Sequence, residues 1–162
     1  MNYFLNRYKR WGHDIIPEEI ELKKAIRINT QKIDEKKLLE RLRDKGVKLT
    51  KIPFLKNGYF FEADFAPAST PEYLFGYYYI QEPASQKASE ILDPKEDELV
   101  LDMCAAPGSK TTHISQLMKN KGTIITLDNN LARIKSLKNN IERMGCENTI
   151  VYKKDAKYAD DI

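Results

Sequence analysis

Apolar positions follow two different rhythms along the chain. In IDEKKLLERLRDKGV, residues 33–47, Leu38, Leu39 and Leu42 fall at helical spacing. Asp34 is placed to cap this helix, Ile33 to pack onto Leu38, and Gly46 to end it with Val47 folding back. A helix over residues 3–11 and a strand in KAIRINT, from Lys24, precede it. KLTKIPFL and GYFFEA follow as strands. The β-α-β-β order predicts a small α+β module, a type of fold that commonly binds RNA on its sheet. Residues 62–85 gather prolines and a cluster of tyrosines and read as a structured connection, in which Tyr73, Tyr77, Tyr78 and Tyr79 serve packing first and base stacking second.

From Glu98 the rhythm changes. Apolar runs at 99–103, 123–127 and 149–153 read as strands, separated by helices over 110–119 and 130–144. Leu131, Ile134, Leu137, Lys138 and Ile141 share one face of the second helix. This β-α-β-α-β alternation is half of a doubly wound parallel sheet, in which ligands bind at the carboxyl ends of the strands. The sequence therefore divides into an α+β module, residues 1–80, and an α/β part, residues 81–162.

An aspartate stands at the end of each of the three strands: Asp102, Asp128 and Asp155. Asp128 follows Gly108 by 20 residues, the offset at which an acidic residue meets ribose hydroxyls in nucleotide-binding folds. The turn before the first helix, MCAAPGSKT, is not a P-loop. Ser109 separates Gly108 from Lys110, and Met103 stands where the first glycine belongs. The dinucleotide fingerprint is absent too. S-adenosyl-L-methionine fits better. It carries no phosphate, carboxylates suit its ribose, adenine amine and sulfonium, and its own carboxylate suits the amides of a helix N-terminus, with Lys110 beside them.

Composition and charge add to this picture. Hydrophobic residues make up 41% of the 162, enough for a core, which excludes wholesale disorder. No apolar run approaches the ~20 residues of a membrane span, and the N-terminus lacks the pattern of a secretory signal. Net charge is +3, but residues 1–51 hold 14 basic against 8 acidic side chains, a distribution that fits nucleic acid. Two cysteines, Cys104 and Cys146, are too few for a disulfide framework and point to a reducing, cytoplasmic setting. Both are read as inert thiols. His13 and His113 have no metal-ligand company, so no metal site is expected.

QEPAS (81–85), LDP (92–94), VLDMCAAPGSKTTHISQLM, LDNNLARIKSLKNNIERMG and the strand before Asp155 resemble the Nop/Sun family of RNA (cytosine-5) methyltransferases. FLNRY (4–8) and RINT (27–30) resemble its N-terminal RNA-recognition region. The resemblance covers nearly the whole chain. It implies a Rossmann-like methyltransferase half-sheet behind an α+β RNA-recognition module. It also implies S-adenosyl-L-methionine as cofactor and RNA as partner, with tRNA ahead of rRNA. By resemblance, Cys104, Ala105, Ala106, Pro107, Gly108, Ser109 and Lys110 wrap the methionine part of the cofactor. Asp128 takes the ribose with Arg133 shaping that pocket, and Asp155 takes the adenine amine. Arg7, Lys9, Arg10, Arg27 and Asn29 are the expected RNA contacts. The family attacks cytosine with a cysteine of an Asp-x-Pro-Cys segment and releases the product with that of a Thr-Cys-Ser loop. Neither motif occurs in these 162 residues. No catalytic residue is therefore expected in this chain, which implies a truncated methyltransferase, with a C-terminal half or partner chain supplying the nucleophile. A non-catalytic RNA- or cofactor-binding protein is the alternative.

Overall fold

Strand β1 (Ala25–Ile28) is buried along its whole length, and it explains how the two parts of the chain meet. A computed structural model describes residues 3–17 and 23–160. Side chains alternate across a strand. Ile26 and Ile28 enter a core built with Leu38 and Leu42 of helix α2 (Glu35–Arg43), Val47, Phe61 and Tyr78. Ala25 and Arg27 point the other way. As expected, α2 is capped by Asp34, whose carboxylate accepts from the Lys37 amide at 3.2 Å. Val47 folds back, its amide donating to the Leu42 carbonyl at 3.1 Å.

β1 is central in an antiparallel sheet of order β2-β3-β1-β4, with β2 at Lys48–Lys51, β3 at Gly58–Glu62 and β4 at Tyr78–Ile80. Part of the segment expected to be a connection is therefore a strand, with Arg27 opposite Tyr79. A short helix α3 (Pro71–Leu74) precedes it and α4 (Pro83–Leu92) follows it. The first helix, α1 (Tyr3–Arg10), buries none of its residues.

The second sheet is parallel, β5-β6-β7 (Leu99–Asp102, Thr123–Asp128, Thr149–Lys153). Helices α5 (Ser109–Leu117) and α6 (Leu131–Met144) connect its strands. One face is covered: Ile114 and Met118 pack on Ile124 and Val100, and Leu137 on Ala105, Ala106 and Val151. In α6 the buried stripe is Ile134, Leu137 and Met144; Leu131 and Lys138, expected on it, are exposed.

The seam between the sheets is polar. Gln116 of α5 donates to the Ile28 carbonyl at 3.0 Å and to Thr30 Oγ1 at 3.1 Å. Asn29 donates to the carbonyls of Gly76 (3.0 Å) and Met144 (2.8 Å). Gly76 has φ +72°, and a Cβ there would lie 1.9 Å from the Arg143 carbonyl oxygen, so only glycine permits this approach. His113, also in α5, is buried, and its Nδ1 has no hydrogen-bond partner among the described residues. Burial, then the charges of Arg27 and Lys56, push its pKa down to about 2.

Two outcomes are expected. The folded imidazole stays neutral down to about pH 2, whereas the unfolded one takes up a proton near its ordinary value of 6.5. Between these values the unfolded state binds more protons. This contribution to stability is complete above pH 6.5 and falls as pH drops towards 2, by at most about 1.4 kcal/mol per pH unit. Urea midpoints measured from about pH 7 to about pH 4.5 should therefore fall less steeply for His113→Gln than for the parent; parallel curves would contradict this. The second outcome concerns the other face of the parallel sheet, where Leu99, Leu101, Ile150 and Tyr152 are exposed. Parallel sheets are normally buried on both faces. The 162-residue chain should self-associate in sedimentation velocity, and Leu101→Lys with Tyr152→Lys should return it to monomer without lowering Tm. A monomeric parent would contradict the expectation.

Candidate cofactor cleft and nucleic-acid interface

The turn from β5 to α5 is held from within. Asp102 bends back over it: Oδ1 accepts from the Cys104 amide at 3.2 Å and Oδ2 from the Thr111 hydroxyl at 2.6 Å. The first of the three strand-end carboxylates is thus occupied in shaping the turn. The Ala105 amide donates to the Leu127 carbonyl of β6 at 3.0 Å, docking the turn on the neighbouring strand. Ala105 and Ala106 are buried against Leu137. Gly108 has φ +105°, and a Cβ on it would meet Leu137 Cδ1 at 3.0 Å. Both the conformation and the packing favour glycine. Asn140 Nδ2 donates to the Pro107 carbonyl at 2.9 Å. Ser109, half-buried, opens α5, and Lys110 is exposed beside it. The first amides of a helix have no intrahelical acceptor and face outward as a receptor for negative charge.

Asp128, at the end of β6, is 4% exposed. Its Oδ1 accepts from the Asn130 amide at 2.9 Å, and its Oδ2 lies 3.4 Å from the Arg133 guanidinium. Arg133 also donates to the Ala106 carbonyl at 2.7 Å, so one side chain fixes the carboxylate and the turn together. Asp155 lies two residues past β7. It is exposed and caps a short 3-10 turn, accepting from the Lys157 amide at 3.0 Å. Cys104, Asp128, Arg133 and Asp155 line one cleft with Met103, Asn129, Lys154 and Ala156. The last four were missed in the sequence; each adjoins a residue that was singled out or lies one step from it. Of the expected turn residues only Cys104 lines this cleft; Ala105 and Ala106 are buried in packing, and Pro107 to Lys110 are not part of its lining.

The basic residues expected at RNA divide into two sets. Arg7, Lys9 and Arg10 are exposed on α1. Arg7 lies over the Trp11 ring at 4.9 Å, and the rings of Phe4, Tyr8 and Trp11 follow one another at 4.6 and 5.6 Å. Lys9 is 3.6 Å from Asp14. Arg27 and Asn29 are a correction. They are 0% and 1% exposed, and their side chains are engaged across the seam, because the face of β1 that carries them is covered by the second sheet's helices. They are not on an RNA-accessible surface. Of the tyrosines, Tyr78 and Tyr79 are buried, in line with packing.

Both thiols are free. Cys104 is exposed on the turn. Burial pushes the Cys146 thiol up, so it stays protonated at neutral pH.

A family model described as the 16S rRNA methyltransferase RsmB/F matches residues 89–162, and one described as the N-terminal domain of 16S rRNA methyltransferase RsmF matches residues 4–83. The ribosomal RNA small subunit methyltransferase F of Vibrio parahaemolyticus is 38% identical over 141 residues, 84% of this chain and 30% of that protein. The tRNA (cytosine(72)-C(5))-methyltransferase of Pyrococcus horikoshii is 36% identical over 141 residues, 85% of this chain and 33% of that protein. A crystal structure of a methyltransferase homologue from Pyrococcus horikoshii, 38% identical, superposes with a TM-score of 0.81 over 87% of this chain and 47% of that one. The chain thus spans about a third of the length of these curated relatives. On the pairing of these two modules with a Rossmann-like turn and cleft, the chain belongs to the Nop/Sun family of RNA (cytosine-5) methyltransferases, over its N-terminal and cofactor-binding portions.

Proposed function

We propose that this chain is the RNA-recognition module, residues 1–80, and the first part of the catalytic domain, residues 81–162, of an enzyme that methylates cytosine C5 in RNA using S-adenosyl-L-methionine. One observation carries the reading: a buried strand-end carboxylate, Asp128, lines a cleft with Met103 and Cys104, the start of the turn that leads into the N-terminus of α5. Those two features suit the two ends of this cofactor, ribose hydroxyls at one and a carboxylate at the other. Bound there, the cofactor supplies an electrophilic methyl group. Asp128 accepts from the ribose hydroxyls, and Arg133 holds its carboxylate in place. The residues from Cys104 to Lys110 hold the methionine part, and Asp155 is placed for the adenine amine.

Cytosine C5 becomes nucleophilic only after a thiolate adds at C6. Cys146 is protonated beside the seam, and Cys104 belongs to the cofactor turn, so we assign neither that role. The free thiols fit a reducing, cytoplasmic setting. For the substrate, the relatives support RNA as a class. The preference for tRNA over rRNA gains nothing from them, since enzymes named for each stand side by side.

Asp128→Ala should weaken S-adenosyl-L-methionine binding by about 1–3 kcal/mol in calorimetry, the loss expected when hydroxyls keep no partner. Equal affinities for parent and variant would remove the ribose assignment. Charge reversal at Arg7, Lys9 and Arg10 should weaken binding to both a tRNA and a ribosomal RNA hairpin. It should also flatten the log–log dependence on salt by roughly 2–3, about one per phosphate contact. An unchanged slope would take α1 out of the interface.

A further inference from the structure

Among the described residues Arg27 is the largest fully buried side chain, yet none of their carboxylates lies within ion-pair distance of it. Its partners are neutral. Nη1 donates to Gln81 Oε1 at 2.7 Å and to the Ser109 carbonyl at 2.9 Å, and Nη2 to Thr112 Oγ1 at 3.0 Å. Nε is buried without a partner. The guanidinium lies 5.4 Å from the centre of the Tyr79 ring, whose other neighbour at the same distance is a second cation, Arg143. The nearby titratable groups do not answer the charge. Cys146 is held protonated and His113 neutral. Asp102, the carboxylate of this helix end, has its oxygens taken by Cys104 and Thr111.

The position of this charge is unfavourable for the fold taken alone. Ser109 and Thr112 belong to the first turn of α5, the positive pole of the helix dipole. A cation there repels that pole, and a buried cation without a counter-ion is costly. The seam needs only hydrogen bonds, which neutral side chains already make there: Gln116 and Asn29 do so on either side. Two positive features lie behind one turn, and among the described residues no carboxylate answers them, so together they favour an anion on the turn's other side. Low screening in the interior lets the charge act across the helix end.

We propose that Arg27 is a positioning residue for the cofactor: its charge, applied from behind the turn, and its bond to the Ser109 carbonyl set the first turn of α5 to receive the cofactor's carboxylate. The proposal rests on the assignment of the cleft to S-adenosyl-L-methionine. It also gives the N-terminal module a part in cofactor binding, because β1 belongs to that module's sheet.

The test separates charge from structure by varying the ligand. Calorimetry on the full chain compares S-adenosyl-L-methionine with its decarboxylated analogue, which lacks only the group the charge is placed to serve. The parent should prefer the carboxylated ligand, and Arg27→Met should reduce that preference roughly tenfold, the effect of one unscreened charge at short range. Arg27→Lys, which keeps the charge and loses the planar fork, should weaken both ligands and hold the preference. Thr112→Val, which removes one acceptor and no charge, should hold it too. Where circular dichroism shows Arg27→Met unfolded, Arg27→Gln gives the neutral comparison. A neutral variant that weakens both ligands in equal proportion would make Arg27 a structural tie and overturn the proposal. A parent chain that binds neither ligand would instead overturn the cofactor reading of the cleft.

Discussion

The burial of Arg27 constrains more of this structure than any other single feature. A strand in an antiparallel sheet usually keeps one face for solvent. β1 cannot, because one face carries Ile26 and Ile28 into the core under α2 and the other packs Ala25 on Ile52 and Leu55 and carries Arg27 into the seam. The guanidinium must therefore find every partner inside the protein, and it finds them on β4's end and on α5. That requirement fixes the helix against the sheet. Gln116, one turn further along α5, and Asn29, just past the strand, then close the same seam with bonds to backbone carbonyls. Gly76 lets the second sheet's last helical turn come close enough for this.

The turn from β5 to α5 follows from that placement. With α5 held on one side by β1, the chain leaving β5 must reverse within six residues. Asp102 and the Ala105 amide hold its start, and Gly108 supplies the backbone angle at its end. Arg133 crosses from α6 to join the Ala106 carbonyl to Asp128. The result is a turn held at both ends whose first residues share a cleft with a buried carboxylate at the carboxyl ends of the strands, where ligands of such sheets bind.

Much of this was legible in the sequence, for a physical reason in each case. The Asp34 cap and the Leu38–Leu42 stripe are local and showed directly. The alternation from Glu98 onward showed because its strands are short apolar runs. Helix α4 did not show, because the face it buries carries Gln86 and Ser89; only Pro83 at its first position marked it. β4 is three residues long in a run of tyrosines with no alternation. Arg27 and Asn29 alternate with isoleucines as polar residues of a half-exposed strand do, and no local pattern reveals that a second sheet will cover them. Spacing puts Leu131 on the buried stripe of α6, but it opens the helix and is exposed. Legibility failed where long-range packing, not periodicity, set the environment.

The proposed cofactor site is the cleft that Met103 and Cys104 of the β5–α5 turn share with Asp128. Amide chemical shifts of the isotopically labelled chain, titrated with S-adenosylhomocysteine, test it at residue resolution. The largest changes should fall on residues 103–111, on Asp128 to Asn130 and on Lys154 to Ala156, with α1 and the α2 face of the first sheet unmoved. Changes centred away from the carboxyl ends of β5, β6 and β7, or none at saturating ligand, would contradict it.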